Sequence, residues 1–553
     1  MMQKKWVLSQ EANEKNIIET LLKNRGITEV NEIDEFLSDK PKLTYDPFLL
    51  KNMDEASNRI IKAVENKEKI CIYGDYDADG VCGVSLLLEI LGKVTDKITY
   101  YIPSRFNEGY GLNKDAISRI GEDGANLVIT VDCGSGSNDE VEHARKLGID
   151  VIVTDHHNIV GEQLPCLFIN PKQKDCPYPE KNLSGCGVAF KLAQALQRKI
   201  PKQITRADLG KVLDLVAIAT IGDIVPLSGE NRTMVKYGLR TVNNQTRPGL
   251  SLLINSIGLE DREIKSVQIA YVIVPHLNAA GRMVSADTGV KLLTSDSEKE
   301  REEASRELIR TNKERKRLQE LFFDMAVQKV EEKYLDEKII VLNLDDAHEG
   351  VTGIVAGKLK DRFSRPAIIL TPTGNNMLKG TGRSVDGLDL YAILSHCSHL
   401  FDKFGGHEGA CGFTMGFEKL DILRETLRSL AETVYEKNPT VFQPKLVIDA
   451  QLSPLVLNKE LISSLERLEP FGHKNPKPVF AFTRASISEP YYMGDQQQHV
   501  RFEADGVKCV FFNDSPRFRE FFELGKRVDL AGYPEINYWN GYEKIQFIVE
   551  DLK

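Results

Sequence analysis

Three aspartates at alternate positions, Asp75, Asp77 and Asp79, stand between a short apolar run, Lys69-Ile70-Cys71-Ile72-Tyr73, and a longer one from Val81 to Leu91. The first run has the length and character of a buried strand, the second those of a helix packed on a sheet. The acidic stretch is therefore a strand-to-helix turn. In an α/β sheet such turns lie at the carboxyl edge, where ligands bind. Like charges this close repel, and they persist at low cost only when solvated or neutralised by a cation. A solvated turn accounts for an isolated acidic loop. A calcium loop does not fit. Asp75-x-Asp77-x-Asp79-Gly80 opens like an EF-hand, but the twelfth position is Leu86 instead of a bidentate Glu, and a strand precedes it.

The strand–helix alternation continues. The pattern predicts strands from Ile98 to Ile102, Asn126 to Val131 and Asp150 to Thr154, with helices between them such as Asn138 to Leu147. Continuous apolar strands separated by helices imply a parallel sheet covered on both faces. Asp77 and Asp79, then Asp132, then His156 and His157, each fall just past the carboxyl end of a strand. One His-His pair is usually turn chemistry, and one Asp after a strand is often a helix cap. Three such sites on one edge are harder to dismiss. A fourth is Asp223, which closes the apolar run Leu215 to Gly222. An acid at a helix C-terminus opposes the dipole, and metal ligation supplies a reason for it.

Composition sets the frame. A chain of 553 residues, 41% hydrophobic and 28% charged, is ordinary soluble protein with length for about three or four domains. No apolar run approaches the roughly 20 residues of a membrane span. Met1 to Trp6 leads into a polar stretch and is not a signal peptide. Nine scattered cysteines without a Cys-x-x-Cys pair suggest reduced thiols in a cytoplasm. The net charge of −9 argues weakly against a nucleic-acid partner, but it is a poor guide when carboxylates cluster around metals.

Asp155-His156-His157, following Asp77-x-Asp79 and Asp132-Cys133-Gly134 and followed by Gly222-Asp223, resembles the DHH phosphoesterase superfamily. The stretch Ile102 to Leu112, Asn278-Ala279-Ala280-Gly281-Arg282 and Gly405-Gly406-His407 extend the likeness to its RecJ branch of single-strand-specific exonucleases. The implied architecture is α/β. A parallel-sheet DHH catalytic domain is joined by a long helix to a second α/β domain, and an OB-fold β-barrel follows. We place an N-terminal helical segment at 1–53, packing on the next domain, with helices from Glu11 to Arg25 and Val30 to Leu37. The DHH domain covers 54–295 and a connector helix 296–336. The DHH-associated domain covers 337–440 and the OB-fold nucleic-acid-binding domain 441–553. The connector could span about 60 Å. Its apolar positions, Leu308, Leu318, Leu321, Phe322, Met325, Ala326 and Val330, gather toward one end. The glycine-dense Gly405 to Gly412 would let backbone amides approach a phosphate. The short β-rich runs after Gln443 suggest a small antiparallel barrel. There Phe471, His473, Lys474, Arg501, Phe512 and Tyr533 are candidates for a stacking groove, with core packing an equal alternative for each.

Asp and His around an open site suit two octahedral divalent ions, Mn²⁺ or Mg²⁺. The resemblance assigns Asp77 and Asp223 to one ion and Asp79 and His156 to the other, with Asp132 bridging them. It places His157 beside the scissile phosphate and Asp75 behind the ligands. Many relatives carry a His where Tyr73 stands. Arg105, Arg282, Arg383, Ser384, Asn278, Gly406 and His407 are implied contacts to the nucleic-acid backbone, and Tyr110 a base-stacking residue. The implied activity is 5′-to-3′ hydrolysis of single-stranded DNA to 5′-mononucleotides, in DNA repair and recombination. A single-strand-binding protein and a helicase are implied protein partners of a monomeric, cytoplasmic chain. The alternatives are a phosphodiesterase acting on small nucleotides, a pyrophosphatase, or a non-catalytic single-strand-binding replication scaffold. The five intact ligand positions argue against the scaffold, and the added barrel argues against the small-substrate enzymes.

Overall fold

The computed structural model describes residues 4–9, 16–159, 161, 164–374, 376–488, 490–522, 527–539 and 542–553. The chain starts with a strand, β1 (Lys5–Leu8), where a helical segment was expected, followed by helices Ile17–Asn24 and Val30–Leu37. The start of the expected first helix, residues 11–15, lies outside the described residues.

The first large sheet holds β2 (Ile70–Gly74), β3 (Ile98–Tyr101), β4 (Leu127–Val131), β5 (Asp150–Thr154) and β6 (Leu167–Ile169) in the order β3-β2-β4-β5-β6. All neighbours are parallel. Every residue of β2 and β4 is buried, as their unbroken apolar character requires of strands covered on both faces. The helix after the acidic turn, Ala78–Leu91, packs on helices Gly185–Lys199 and Leu213–Gly222. The last of these is apolar all round and sits inside the domain. Strand β6 was not anticipated. It is only three residues long, Leu167-Phe168-Ile169, too short for a periodic signal.

The connector helix Glu298–Lys329 has 32 residues and is about 48 Å long. It is shorter than expected because a wider π-type turn, Val330–Tyr334, replaces its last stretch. Its buried face also runs its whole length rather than one end. Ala304 and Leu308 join the core of the first domain, and Phe322, Ala326 and Val330 that of the second. Leu321 and Met325 are exposed.

The second α/β unit holds β7 (Ile340–Asn343), β8 (Ala367–Pro372), β9 (Met377–Arg383), β10 (Lys403–His407) and β11 (Ala410–Gly416) in the order β10-β11-β9-β8-β7. Only β7 and β8 pair in parallel. Helix Glu349–Phe363 crosses between them.

In the C-terminal region β12 (Lys445–Ile448) leaves the barrel and pairs in parallel with β1. The barrel sheet holds β13 (Ala450–Gln451), β14 (Phe480–Ser486), β15 (Tyr491–Met493), β16 (His499–Ala504), β17 (Val507–Phe511), β18 (Arg527–Trp539) and β19 (Tyr542–Leu552), in the order β13-β14-β18-β19-β17-β16-β15. It is mixed and not purely antiparallel, since β13 pairs with β14 and β17 with β19 in parallel.

The N-terminal segment packs on more than the next domain. Ile17, Leu21, Leu22 and Phe36 are buried in the barrel's own core. Farther along, Thr44 and Tyr45 reach Glu230 and Lys191 of the first domain. Arg232 of that domain stacks over Phe36 at 3.7 Å and donates to the carbonyls of Phe36 and Glu469. The segment is a strap joining the barrel to the catalytic domain. Between barrel and domain lies a cavity of about 760 Å³ lined in part by Ile224, Tyr271, Phe471, His473 and Tyr533. Arg501 and Phe512 lie elsewhere on the barrel, against Tyr491 and His499. The six proposed groove residues therefore do not form one groove.

Candidate metal and phosphate site

The parallel sheet brings the carboxyl ends of β2, β4 and β5 side by side, and with them the acidic turn, Asp132 and the His-His pair. Asp77 caps the helix Ala78–Leu91: its Oδ1 accepts from the amides of Asp79 (2.9 Å) and Gly80 (3.2 Å). The cap and a ligand role are compatible, because the other oxygen makes neither bond. Asp79 faces the N-terminus of helix Gly185–Lys199, where its two oxygens accept from the amides of Gly185 (2.6 Å) and Cys186 (2.7 Å). Gly185 is required there, since a Cβ would sit 2.5 Å from that of Asp132. Asp132 itself has φ +63°, which Asp tolerates better than most residues.

His156 is buried and its Nε2 points into the acids, 3.0 Å from Oδ1 of Asp132, 3.6 Å from Asp223 and 3.8 Å from Asp79. Asp223 faces Asp79 and His156, and the charge of Asp77 also reaches it. The helix Leu213–Gly222 carries Asp223 in from the His156 side of the edge, a placement that spacing along the chain cannot give. Asp75 also stands nearer than a supporting role needs. Its carboxylate is within 4.8 Å of the ligand atoms of Asp77 and Asp132. Tyr73, at the family's histidine position, donates its hydroxyl to the carbonyl of Gly111.

Electrostatics sets this edge apart. Burial and the neighbouring acids push Asp79 up to about 7 and Asp223 up to about 8, and hold Asp75 and Asp132 well above the carboxylate range. Burial and the charge of His157 push His156 down to about 3, so it is neutral. Its other ring nitrogen bonds the carbonyl of Leu183, leaving Nε2 with a free lone pair. Oδ1 of Asp75, Oδ1 of Asp132 and Nε2 of His156 are buried without a hydrogen-bond partner among the described residues. Lone pairs facing one another in a dry site are what a cation would satisfy, so the residues fit a divalent metal site.

Asp155 was quoted only as part of a motif, yet it organises the pair. It accepts from the amides of Ser135, His156 and His157 and from Nδ1 of His157 at 2.8 Å. Burial alone would raise Asp155, but these donors hold it below the ordinary range. Burial opposes protonation of His157, but Asp155 prevails and lifts it to about 9. Tyr110, expected to stack on a base, keeps an exposed ring while its hydroxyl reaches the carbonyl of Asp132 (3.2 Å) and His157 (3.1 Å). Lys172, absent from the sequence candidates, lies close enough for its charge to reach Asp223. A lone loop lysine carries no sequence signal.

Arginines form the rim. Arg105 lies 5.3 Å from the ring centre of Tyr76. Arg282, at the end of helix Val274–Met283, feels Arg105, Asp77 and Arg383 and is brought down to about 10, chiefly by burial. None of the three forms an ion pair among the described residues. Asn278 accepts from the amide of Ala78 at 2.7 Å, bracing the acidic turn. Gly281 lets that helix touch the turn, since a Cβ would lie 2.2 Å from the carbonyl of Tyr76. Strand register sets Arg383 opposite Ala410, itself opposite His407, so the Gly406–His407 hairpin lies one strand beyond Arg383. The Ser384 hydroxyl donates to the carbonyl of Leu388 at 2.6 Å, within its own loop. Phe106 meets His348, and the Arg282 carbonyl lies against Gly350, so the two α/β domains touch at this rim.

Known proteins share this arrangement. The DHH family, N-terminal domain, matches residues 69–220, the DHHA1 domain 336–433 and the RecJ OB domain 448–551. The single-stranded-DNA-specific exonuclease RecJ of Bacillus subtilis is 38% identical over 98% of this chain and 69% of its own length. The Escherichia coli protein of that name is 31% identical over 97% of this chain and 95% of its own. The crystal structure of RecJ from Thermus thermophilus in complex with Mn²⁺ matches all of this chain and 80% of its own, with TM-score 0.85 and 27% identity. Its Mg²⁺ complex matches with TM-score 0.80 at 26% identity, over all of this chain and 78% of its own. Among the described residues no helix is long and apolar enough to cross a membrane.

Proposed function

Because the chain belongs to the RecJ family of DHH phosphoesterases, we propose that it is a metal-dependent exonuclease specific for single-stranded DNA, working from the 5′ end. Asp77 and Asp132 would hold one divalent ion, with Asp75 close enough to join them. Asp79, His156 and Asp223 would hold the other, with Asp132 shared. Such ions supply Lewis-acid activation of water and charge neutralisation at phosphorus.

The chain's own residues do the rest. Asp155 keeps His157 protonated, which puts a fixed cation beside the scissile phosphate. Tyr110 ties His157 to the Asp132 backbone. Arg105, Arg282 and Arg383, which form no ion pair among the described residues, suit the planar, two-point recognition of phosphate oxygens. An entrance between the contacting domains that admits one strand would exclude a duplex, which is roughly 20 Å across and has no free bases for stacking.

The observation that carries this reading is the unpartnered pair His156 Nε2 and Asp132 Oδ1 facing a rim of unpaired arginines. The test incubates the protein and Mn²⁺ or Mg²⁺ with 5′- and 3′-labelled single strands, blunt duplex and dinucleotides. We expect single strands to be shortened from the 5′ end to 5′-mononucleotides. Cleavage of dinucleotides alone would make it a small-substrate phosphodiesterase, and strand binding without hydrolysis would make it a scaffold.

A further inference from the structure

The connector helix Glu298–Lys329 buries Ala304 and Leu308 in one domain and Phe322 and Ala326 in the other. Between them its buried positions turn polar: Thr311, Asn312, Arg315 and Gln319. An apolar seam would join two domains at lower cost, so a polar stretch at the junction calls for a cause.

Arg315 is its centre. The residue is 8% exposed. Its Nε donates to Oδ1 of Asn312 and its Nη1 to Oε1 of Gln319, both at 3.0 Å. Both partners are neutral, and no acid forms an ion pair with Arg315 among the described residues. Burial alone lowers its pKa. Its charge lowers Arg282 and helps hold His276 neutral, the latter also within reach of Lys316.

Other buried cations here are neutralised or ringed by carbonyls. Arg247 is held by Asp214 and Glu89, and Lys191 by Glu230. Arg232 has Phe36 below it and backbone carbonyls around it. A charge taken out of water without a counter-charge is expensive. Arg315 has no counter-charge among the described residues, and it lies near enough to the rim for its charge to reach Arg282. Helix Val274–Met283, which ends in Arg282, packs along the connector. Arg282 feels Arg105, Arg383 and Arg315 together.

We propose that Arg315 binds a backbone phosphate of the single strand, as a fourth arginine on the floor of the interdomain cleft. Asn312 and Gln319 fix its plane and leave Nη2 for the anion. This rests on the nuclease reading above.

The test measures binding of full-length protein to a labelled single strand without divalent metal, so that nothing is cleaved, across a range of KCl. Removing one phosphate contact lowers the slope of log K against log salt by about 0.7. Arg315→Gln should show that loss and bind about tenfold more weakly at low salt. Arg315→Lys should keep the slope. Oligonucleotides carrying one neutral methylphosphonate at successive positions supply a second measurement. One position should weaken wild type and leave Arg315→Gln unmoved. If Arg315→Gln does not fold, Arg315→Ala and the Lys variant in the methylphosphonate series take its place. An unchanged slope with no such position would overturn the proposal. So would protection of wild type by sulfate alone, which would make the site an adventitious anion site. Failure of wild type to digest single strands would instead overturn the nuclease reading, whatever the slopes show.

Discussion

Nε2 of His156 and Oδ1 of Asp132 face each other at 3.0 Å, and neither has a hydrogen-bond partner among the described residues. The imidazole is neutral, so its Nε2 is an acceptor, and the Asp132 carboxyl, held well above the ordinary range by burial and the neighbouring acids, supplies the proton there when no metal does. Asp132→Asn should lower hydrolysis by on the order of a thousandfold or more. The metal-free variant should melt close to wild type at neutral pH, since a neutral amide replaces a carboxyl that burial already favours in its neutral form. Full activity would overturn the assignment of Asp132.

The same acids predict a pH effect. Asp79 at about 7 and Asp223 at about 8 stand above the ordinary Asp value near 3.9. The native state then keeps protons that the unfolded chain has lost. The associated stability is complete below about pH 4 and disappears as pH rises through 7 and 8. Metal must displace those protons. The melting temperature of metal-free protein should therefore fall between pH 6 and 8.5, while the rise produced by Mn²⁺ grows. Calorimetry should detect proton release on Mn²⁺ binding at pH 7. Affinity equal at both pH values would contradict this.

Adjacent residues Arg383 and Ser384 should behave differently. Arg383→Ala should raise KM for single strands about tenfold or more with metal affinity unchanged. Ser384→Ala removes only the bond to Leu388 and should cost about 1 kcal/mol of stability with little change in KM. Weakened Mn²⁺ binding as the sole effect of Arg383→Ala would disprove the phosphate role.

Tyr110 separates ring from hydroxyl. If its role is to hold His157 through the phenol, Tyr110→Phe should lower kcat with KM nearly unchanged. A stacking role predicts a silent Phe variant and a raised KM for Tyr110→Ala. Steady-state kinetics on one short oligonucleotide distinguishes them.

Removing the barrel alone should fail. Truncation after Thr440 uncovers Ile17, Leu21, Leu22 and Phe36, which should lower melting temperature and promote aggregation. Removing residues 1–40 as well should give a better-behaved protein. It should retain cleavage of a saturating short oligonucleotide and bind long strands weakly. Equal affinity for long strands would take the barrel out of the substrate path.

The catalytic edge was legible because its strands are buried on both faces and read as unbroken apolar runs, each ending at a polar turn. Three of those turns carry the acids and histidines, so parallel topology alone gathers them. Asp223 was found through its conflict with the helix dipole, but its closeness to His156 was not, because helix Leu213–Gly222 brings it in along a path that chain order does not encode. The hydrogen bonds of Tyr110, Ser384 and Asp155 were not legible, because their partners are set by the tertiary fold. Strand β1 escaped notice because it is mostly exposed and depends on a partner some 440 positions away.

That pairing has a consequence for synthesis. Helices Ile17–Asn24 and Val30–Leu37 leave the ribosome roughly 400 residues ahead of the barrel strands that cover them, about 20–80 s at ordinary elongation rates. Their apolar faces stay uncovered while the catalytic domain forms between. The nascent chain is thus held open as a long loop whose closure is its last folding event. A ribosome stalled before Lys445 would present a finished active site on a chain still in need of a chaperone.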